Sequence, residues 1–267
     1  MIRSIFAFLF CLAILSCVNA QIPPPEETEV WEPVPEMVTP GIFPGSPPAD
    51  AIVLFDGQDL SKWRKSALGY GSNMEEIKEI VAKYGTVTEY EEPGWEVIDG
   101  AIVVKPRNGH IETRQGFGDV QLHIEWLAPV DPGKEGQGYS NSGIFFMGLY
   151  EIQVLNSYDT KTYPNGQAGS MYKQAIPLVN ASRPPGEWQY YDIIFMAPTF
   201  DADGKLVKPA YITAFHNGVL ILNHFELKGP CIYRGAPYYV AHPDKLPIIL
   251  QDHGNHVRYR NIWIREL

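Results

Sequence analysis

The strongest constraint on the fold comes from two segments in the middle of the chain that alternate apolar and polar residues. In the first, GFGDVQLHIEWLAP, the apolar side chains occupy every second position from Val120 to Trp126. In the second, NSGIFFMGLYEIQVLNSY, Glu151 and Gln153 are two residues apart and leave the backbone on the same side. A period of two is typical of a β-strand with one face on a core. Both segments therefore predict strands that present polar groups on their other face.

Most of the remaining domain consists of short apolar segments separated by turn dipeptides. WEVIDGAIVVKP predicts a hairpin around Asp99-Gly100, and YITAFHNGVLILNHFEL predicts another around Asn217-Gly218. The chain ends with PIILQDHGNHVRYRNIWIREL, which predicts two strands around residues 252–254. Strands do not alternate with helices, which argues against a parallel α/β fold. We therefore predict an all-β antiparallel sandwich.

Helical spacing is convincing in one segment, between Gly69 and Glu92. Its apolar residues recur at helical intervals, and Asn73 is a candidate N-cap. We predict a short helical insertion at residues 69–92 in an otherwise β fold.

The N-terminal region has the pattern of an export leader followed by an extended segment. Residues 1–20 combine Arg3, an apolar run too short to span a membrane and a small-residue exit at Ala20, which predicts a signal peptide. In the alternative interpretation, Cys17 is the lipidated first residue of a bacterial lipoprotein. Residues 21–50 are rich in proline and acidic residues, so they predict an extended tether or wrapping arm. We expect an exported protein, periplasmic, at the cell surface or secreted, with its domain at residues 51–267.

Charge and cysteine content exclude several classes of protein. The 21 Lys and Arg against 31 Asp and Glu give a formal charge of -10, which argues against binding nucleic acid through its phosphates. After removal of the leader, Cys231 is the one remaining cysteine, so no intramolecular disulfide is expected. We expect Cys231 to be buried. The motifs G-x-S-x-G and G-x-G-x-x-G do not occur, so serine-hydrolase and dinucleotide-binding signatures are absent.

Two glutamates are candidates for acid–base chemistry. We predict that Glu125 and Glu151 converge on one sheet face, where His123 and Gln153 accompany them. Carboxylates that alternate with apolar residues are also common on the solvated side of a strand. The alternative is therefore that both glutamates are ordinary surface residues.

Six sequence blocks, occurring in a fixed order, carry a family resemblance. The blocks are LFDGQDLSKW, W-x-V-x-DG, FGDVQLHIEW, NSGIFF, YEIQVLNSY and LQDHGNHVRYRNIWIREL. From Ala51 to Leu267 the chain resembles the DUF1080 family, described as 3-keto-disaccharide hydrolases. The resemblance implies a concanavalin-like or laminarinase-like jelly roll with a groove on one curved sheet, and exported bacterial enzymes that process oxidised glycosides. The insertion at residues 69–92 departs from the family pattern, and we expect it to cap or reshape the groove.

The chemistry of a 3-keto-glycoside defines the groups that such a site needs. The ketone acidifies the hydrogen on carbon 2, so removal of that hydrogen gives an enolate from which the anomeric substituent leaves, and water then adds. A base, an acid and a group that polarises the ketone are required. With the resemblance, His253 is the candidate for proton transfer, because its unperturbed pKa lies near neutrality. It would share acid and base roles with Glu125 or Glu151.

Further residues are candidates for holding the sugar. Amide and basic side chains would position the sugar, and two aromatic rings would stack on it. The alternative for Asn141 is turn chemistry, that for Arg260 is a structural ion pair, and that for the aromatic residues is core packing. Asp252 would orient a neighbouring group or bind a cation. The predicted substrate-binding residues are Gln153, Asn141, His123, Asp252, Arg260, Tyr172 and Trp188.

Three questions remain open from the sequence. His123, Glu125, Glu151 and His253 offer the mixed nitrogen and oxygen ligands that suit a divalent metal, but no compact motif such as H-E-x-x-H is present, so the metal stays unassigned. The same fold also serves non-catalytic carbohydrate-binding modules. A conventional glycoside hydrolase would instead need two carboxyl groups about 5 to 10 Å apart across one bond.

Overall fold

The computed structural model describes residues 22–67, 69–159 and 161–267. The predicted leader, including Cys17, lies outside the described residues. Within the described ranges, no helix is both long and apolar enough to cross a membrane. The chain divides into two compact units, Met1–Met37 and Val38–Leu267. In the first unit, residues 22–37 are exposed and contain the short 3-10 helix Pro25–Thr28.

The second unit contains fifteen strands and one α-helix in its described residues. Two further 3-10 helices are Gly136–Gly138 and Pro164–Gly166. In chain order the strands are β1 Ile52–Phe55, β2 Trp63–Lys65, β3 Glu96–Ile98, β4 Ala101–Val103, β5 Ile111–Phe117, β6 Val120–Leu127, β7 Ser142–Phe146, β8 Tyr150–Val154, β9 Trp188–Met196, β10 Thr199–Phe200, β11 Leu206–Lys208, β12 Tyr211–His216, β13 Val219–Glu226, β14 Leu246–Leu250 and β15 Arg258–Glu266. The helix, α1, is Met74–Lys83.

The strands form two antiparallel sheets that enclose the core. The large sheet has the order β13-β12-β9-β6-β15-β4-β3, with β1 also paired to β15, and the small sheet has the order β2-β5-β14-β7-β8. Strands β10 and β11 form a separate hairpin. Between the sheets, the ring of Phe146 from β7 stacks on that of Phe195 from β9 with centroids 4.7 Å apart. The predicted all-β jelly-roll sandwich is confirmed.

Both predicted hairpins are present, and their turn residues explain them. Asp99 and Gly100 have φ values of 52° and 72°, and Asn217 and Gly218 have φ values of 52° and 79°. Two consecutive left-handed residues make the tight turn whose twist matches that of the flanking strands. Asparagine, aspartate and glycine tolerate this conformation best, which is why the dipeptides identify the turns.

The predicted helical insertion is also confirmed. The side-chain oxygen of Asn73 accepts hydrogen bonds from the N–H groups of Glu75 and Glu76, at 3.0 and 3.1 Å. These bonds satisfy two of the amides that a helix start leaves free. Ile77 and Ile80 bury the apolar face of α1 in the main core.

The alternating strands orient their polar faces in opposite directions. In β6, Leu122 and Ile124 lie in the core, so Glu125 points outward from the large sheet. In β8, Ile152 lies in the core, so Glu151 points outward from the small sheet. The expectation that the two glutamates share one sheet face is therefore wrong. After β6 the chain crosses to the other sheet to form β7 and β8, and periodicity within a strand carries no information about that crossing.

Cys231 is a free thiol and is buried, as expected. Burial raises the pKa of its thiol strongly. It therefore behaves as a small apolar residue of the core rather than as a nucleophile.

Candidate active site

A cleft of about 400 Å³ lies on the outer face of the small sheet. Its lining comes from β8, from the loop before α1, from the loops on either side of β7 and β8, from the loop between β13 and β14, and from the turn after β14. All of these lining side chains are polar or aromatic. They are Tyr70, Ser72, Gln137, Asn141, Glu151, Gln153, Tyr163, Tyr172, Tyr233, Gln251 and His253.

Glu151 is the carboxyl group among these lining residues, and it is 5% exposed. A Cβ atom placed on Gly143 of the neighbouring strand would lie 2.2 Å from Glu151 Oε1, so the missing side chain of Gly143 makes room for the carboxyl. Burial raises the pKa of Glu151 to about 8, and no hydrogen bond or charge from the residues that the structure describes opposes that effect. At neutral pH the group is therefore mainly a carboxylic acid that has a proton to donate.

A chain of side-chain amides orients Gln153 beside Glu151. Gln153 Nε2 donates to Asn141 Oδ1 at 3.0 Å, and Asn141 Nδ2 donates to the backbone oxygen of Gln137 at 2.8 Å. Gln137 Nε2 donates in turn to the backbone oxygen of Gly166 at 2.7 Å. Because backbone oxygens only accept, they fix which way each amide faces. The side-chain oxygen of Gln153 is consequently left for a ligand.

Tyrosines form the remainder of the cleft wall. The hydroxyls of Tyr163 and Tyr172 hydrogen-bond to each other at 2.9 Å, and Lys173 Nζ lies 4.1 Å from the centroid of the Tyr233 ring. Tyr172 also packs against the core, so both of its predicted roles are compatible with its position. Aromatic faces of this kind provide stacking surfaces for sugar rings.

The turn after β14 brings His253 to the cleft and holds Asp252 away from it. Asp252 Oδ1 accepts from the N–H of Gly254 at 2.9 Å, and its Oδ2 accepts from the N–H of Gly109 at 3.1 Å. The N–H of Asp252 donates to His110 Nδ1 at 2.9 Å. Asp252 therefore holds the turn in place, while His253 is exposed and lines the cleft.

Glu125 lies on the other side of the sandwich and is held in an ion pair. Arg260 Nε donates to its Oε2 at 2.6 Å, and Asn261 Nδ2 donates to its Oε1 at 2.9 Å. Burial acts to raise the pKa of Glu125, but the hydrogen bonds from His123, Asn261 and Arg260 outweigh it and lower the pKa to about 2. This carboxyl is an anion at neutral pH and lacks the proton that an acid catalyst needs.

His123 is buried in the same outer cluster, which we define as His123, Glu125, Asp192, Arg260 and Asn261. Its Nδ1 lies 2.6 Å from Asp192 Oδ1, and its ring stacks on Trp263 with centroids 5.3 Å apart. The N-terminal segment covers this face, because the backbone oxygen of Gly45 accepts from Asn261 and Trp263 at 2.9 and 2.8 Å.

Five residues of the predicted site are thus absent from the cleft: Asp252, which holds the turn after β14, and four residues on the other side of the sandwich. Glu125, His123 and Arg260 belong to the outer cluster, and Trp188 lies beside it, with Arg260 Cζ 4.0 Å from its ring centroid. Their polar character is explained by ion pairing and by contact with the N-terminal segment. The alternative of a structural ion pair for Arg260 agrees with its position.

The four candidate metal ligands do not form one donor set. Glu151 and His253 lie at the cleft, whereas His123 and Glu125 lie in the outer cluster. Across the described ranges, no group of three His, Cys, Asp or Glu side chains is placed to hold a metal ion. These residues do not fit a metal centre, so we derive no catalytic step through one.

Sequence reasoning missed about half of the cleft. Tyr70 and Ser72 come from the helical insertion, and Gln137 comes from the glycine-rich loop. Gln251 stands in the LQDHGN block, two residues before His253, and was the one missed residue with a usable signal.

The fold and the cleft define a class of protein, a glycosyl-hydrolase-like β-sandwich that presents a polar cleft with aromatic walls on one sheet. More particularly, the chain belongs to the family of 3-keto-alpha-glucoside-1,2-lyase-like domains, whose model matches residues 50–265. The resemblance inferred from the six sequence blocks is confirmed.

Solved structures support this assignment. The chain is 44% identical to a candidate glycosyl hydrolase from Parabacteroides distasonis ATCC 8503, with a TM-score of 0.79, 91% of this chain covered and 97% of that chain. A second candidate glycosyl hydrolase from the same organism is 20% identical, with a TM-score of 0.54 and 82% and 94% covered, and shows the shared fold. No curated protein matches the chain.

Proposed function

We propose that the protein cleaves 3-keto-glycosides in the cleft of the small sheet, by elimination followed by addition of water. The observation that carries this proposal is Glu151, a buried carboxyl group whose pKa of about 8 keeps it protonated in a cleft that also contains His253. A pKa displaced by burial inside a polar cleft is typical of an acid–base catalyst. The family description supports the 3-keto substrate.

The two titratable groups divide the proton transfers between them. His253 removes the hydrogen from carbon 2, and the electron pair moves into the enolate of the neighbouring ketone. The bond between carbon 1 and the glycosidic oxygen then breaks, and Glu151 gives its proton to the departing oxygen. Water then attacks carbon 1 and gives a proton to the Glu151 carboxylate, while His253 returns a proton to carbon 2. This step restores the saturated 3-keto sugar and the starting protonation of both residues.

The remaining lining residues position the sugar. The side-chain oxygen of Gln153, oriented through Asn141, accepts from a sugar hydroxyl. Tyr172 and Tyr233 offer ring faces for stacking. Because the donors and acceptors are held before the substrate arrives, little ordering cost falls on binding.

The cleft favours elimination over conventional glycoside hydrolysis. The conventional mechanism places two carboxyl groups about 5 to 10 Å apart across one bond. Among the lining residues the structure describes, Glu151 is the carboxyl group, and Glu125 lies in the outer cluster. The ketone removes the need for the second carboxyl, because it acidifies carbon 2.

We also propose that the enzyme works outside the cytoplasm. The support is the pattern of residues 1–20, with its apolar run and small-residue exit. Mass spectrometry of the N-terminus of the isolated protein tests this proposal. A chain that begins at a lipid-modified Cys17 would indicate a lipoprotein, whereas an intact leader would contradict export.

Turnover of a defined substrate tests the proposed reaction. The purified protein, with and without added divalent metal, is incubated with the methyl 3-keto-glucosides of both anomeric forms and with the unoxidised methyl glucosides. We expect loss of a keto sugar and release of methanol, both followed by NMR. In D2O the early product should carry more deuterium at carbon 2 than a control sample of 3-keto-glucose kept in the same buffer for the same time.

Variants connect the reaction to the cleft. Glu151→Gln and His253→Ala should both lose cleavage, whereas the matched variant Glu125→Gln should keep it. If wild-type protein consumes neither keto sugar under any of these conditions, the proposed function is wrong. Sugar binding without turnover would instead identify a carbohydrate-binding module.

A further inference from the structure

Gln251 is a buried polar residue of the cleft that the proposed mechanism does not use. Its side chain is 3% exposed and lines the cleft. Its Oε1 is buried and has no hydrogen-bond partner among the residues that the structure describes. Native proteins rarely leave a buried carbonyl oxygen unpaired, because the oxygen has lost its water without replacement. An unpaired oxygen on a side chain that lines a cleft therefore indicates a ligand group.

The backbone of Gln251 is fixed next to the acid group. Its N–H donates to the backbone oxygen of Gly143 at 3.0 Å, and its own backbone oxygen accepts from Ser142 Oγ at 2.6 Å. The hydroxyl of Tyr259 donates to the same Ser142 Oγ at 2.7 Å. Gly143 is the residue whose missing side chain accommodates the Glu151 carboxyl. The backbone of Gln251 is thus held on the strand residue that borders the Glu151 carboxyl, the group proposed to protonate the leaving oxygen.

We propose that Gln251 is a substrate-binding residue whose Oε1 accepts a hydrogen bond from one hydroxyl of the sugar, and this role rests on the proposed function of the cleft. The ketone oxygen can only accept hydrogen bonds, so Gln251 Oε1 does not bind it. A hydroxyl can donate. Gln153 Oε1 supplies a second acceptor, so the inner end of the cleft requires a sugar with two hydroxyl donors. Gln251 then determines which way the ring lies with respect to Glu151.

Binding of a series of deoxy sugars to wild-type protein and Gln251→Met tests this role. Methionine has a similar length but neither accepts nor donates an amide hydrogen bond, and Gln121→Met on the large sheet is the matched control. The probes are the methyl glucosides and their 2-, 4- and 6-deoxy analogues, which carry no ketone, and calorimetry gives each Kd. We expect Gln251→Met to weaken binding of the parent sugar by about tenfold, as loss of one hydrogen bond predicts.

The pattern across the series distinguishes a direct contact from a structural effect. One deoxy analogue should bind wild-type protein about tenfold more weakly than the parent sugar and should bind Gln251→Met with the same affinity as wild type. Equal weakening for every analogue, unchanged binding of the parent sugar, or no binding of any glucoside to wild-type protein would overturn the inference. If Gln251→Met does not fold, Gln251→Leu, which also lacks an acceptor oxygen, takes its place in the same series. The expected pattern without consumption of keto sugars would leave the role of Gln251 standing and refute only the cleavage reaction.

Discussion

Replacement of Glu151 by glutamine should make the stability of the protein less sensitive to pH. Burial raises the pKa of Glu151 from 4.5 to about 8, whereas the unfolded chain has the ordinary value. Between these two values the folded state keeps a proton that the unfolded state has lost, so the free energy of unfolding of wild-type protein falls as pH rises. At ~1.4 kcal/mol per pKa unit, the whole loss is about 5 kcal/mol. Glutamine does not titrate and avoids this loss.

Urea unfolding from about pH 5 to about pH 9 measures the effect. The free energy of unfolding of Glu151→Gln minus that of wild-type protein should rise by most of this amount across the range and level off above the pKa of Glu151. Other titrating groups cancel in that difference. Glu125→Gln is the matched control, because the pKa of Glu125 is lowered to about 2 and its ionisation is complete below the range. Its difference from wild type should change far less than that of Glu151→Gln, and the change that remains comes from His123, whose pKa Glu125 helps to raise.

A flat difference for Glu151→Gln would refute the reasoning. It would mean that Glu151 has an ordinary pKa in the folded protein, and that the cleft is wet enough to solvate the carboxylate. The same result would remove the physical basis for Glu151 as the proton donor.

Three other predictions follow from the two glutamates. Gly143→Ala places a methyl group 2.2 Å from the present position of Glu151 Oε1, so the carboxyl must move. The value of kcat/KM for the keto sugar should then fall by about tenfold or more, while circular dichroism shows an intact fold. Unchanged kinetics would contradict the placement of Glu151 beside Gly143. Cleavage by wild-type protein should decline above about pH 8 as Glu151 loses its proton, and a rate that rises steadily through that range would speak against an acid role. Glu125→Gln should lower the free energy of unfolding at neutral pH by roughly 1 to 3 kcal/mol, because Arg260 loses its ionised partner. Turnover of the keto sugar should stay close to that of wild type. Unchanged stability together with lost turnover would instead indicate that Glu125 belongs to the active site.

Local sequence signals predicted the elements of this fold well. The Asp99-Gly100 and Asn217-Gly218 turns and the Asn73 cap each depend on residues that are neighbours in the chain. Alternation in β6 and β8 likewise fixed which side chains enter the core. Such signals are decided by backbone geometry over a few residues, and they need no knowledge of the tertiary structure.

The composition of the site was predicted less well, because it depends on which strands are neighbours. Glu151, Gln153, Asn141, Tyr172 and His253 were expected at the site and do line the cleft. The prediction that His123 and Glu125 belong to the same site is wrong, because β6 and β8 have the same polar pattern and the sequence does not say that they belong to different sheets. The covering of that cluster by the N-terminal segment is a long-range contact that composition alone does not reveal.

The two glutamates show why residue type is a weaker guide to chemistry than environment. Both alternate with apolar residues on a strand, yet the pKa of one is about 2 and that of the other is about 8. Glu125 has three partners that stabilise its charge, so it serves as an anchor for Arg260 and Asn261. Glu151 has no such partner among the described residues, so its burial lowers the free energy of unfolding as the pH rises. Glutamine at this position would avoid that loss, so the cost of the buried carboxyl agrees with the proton-donor role proposed for Glu151.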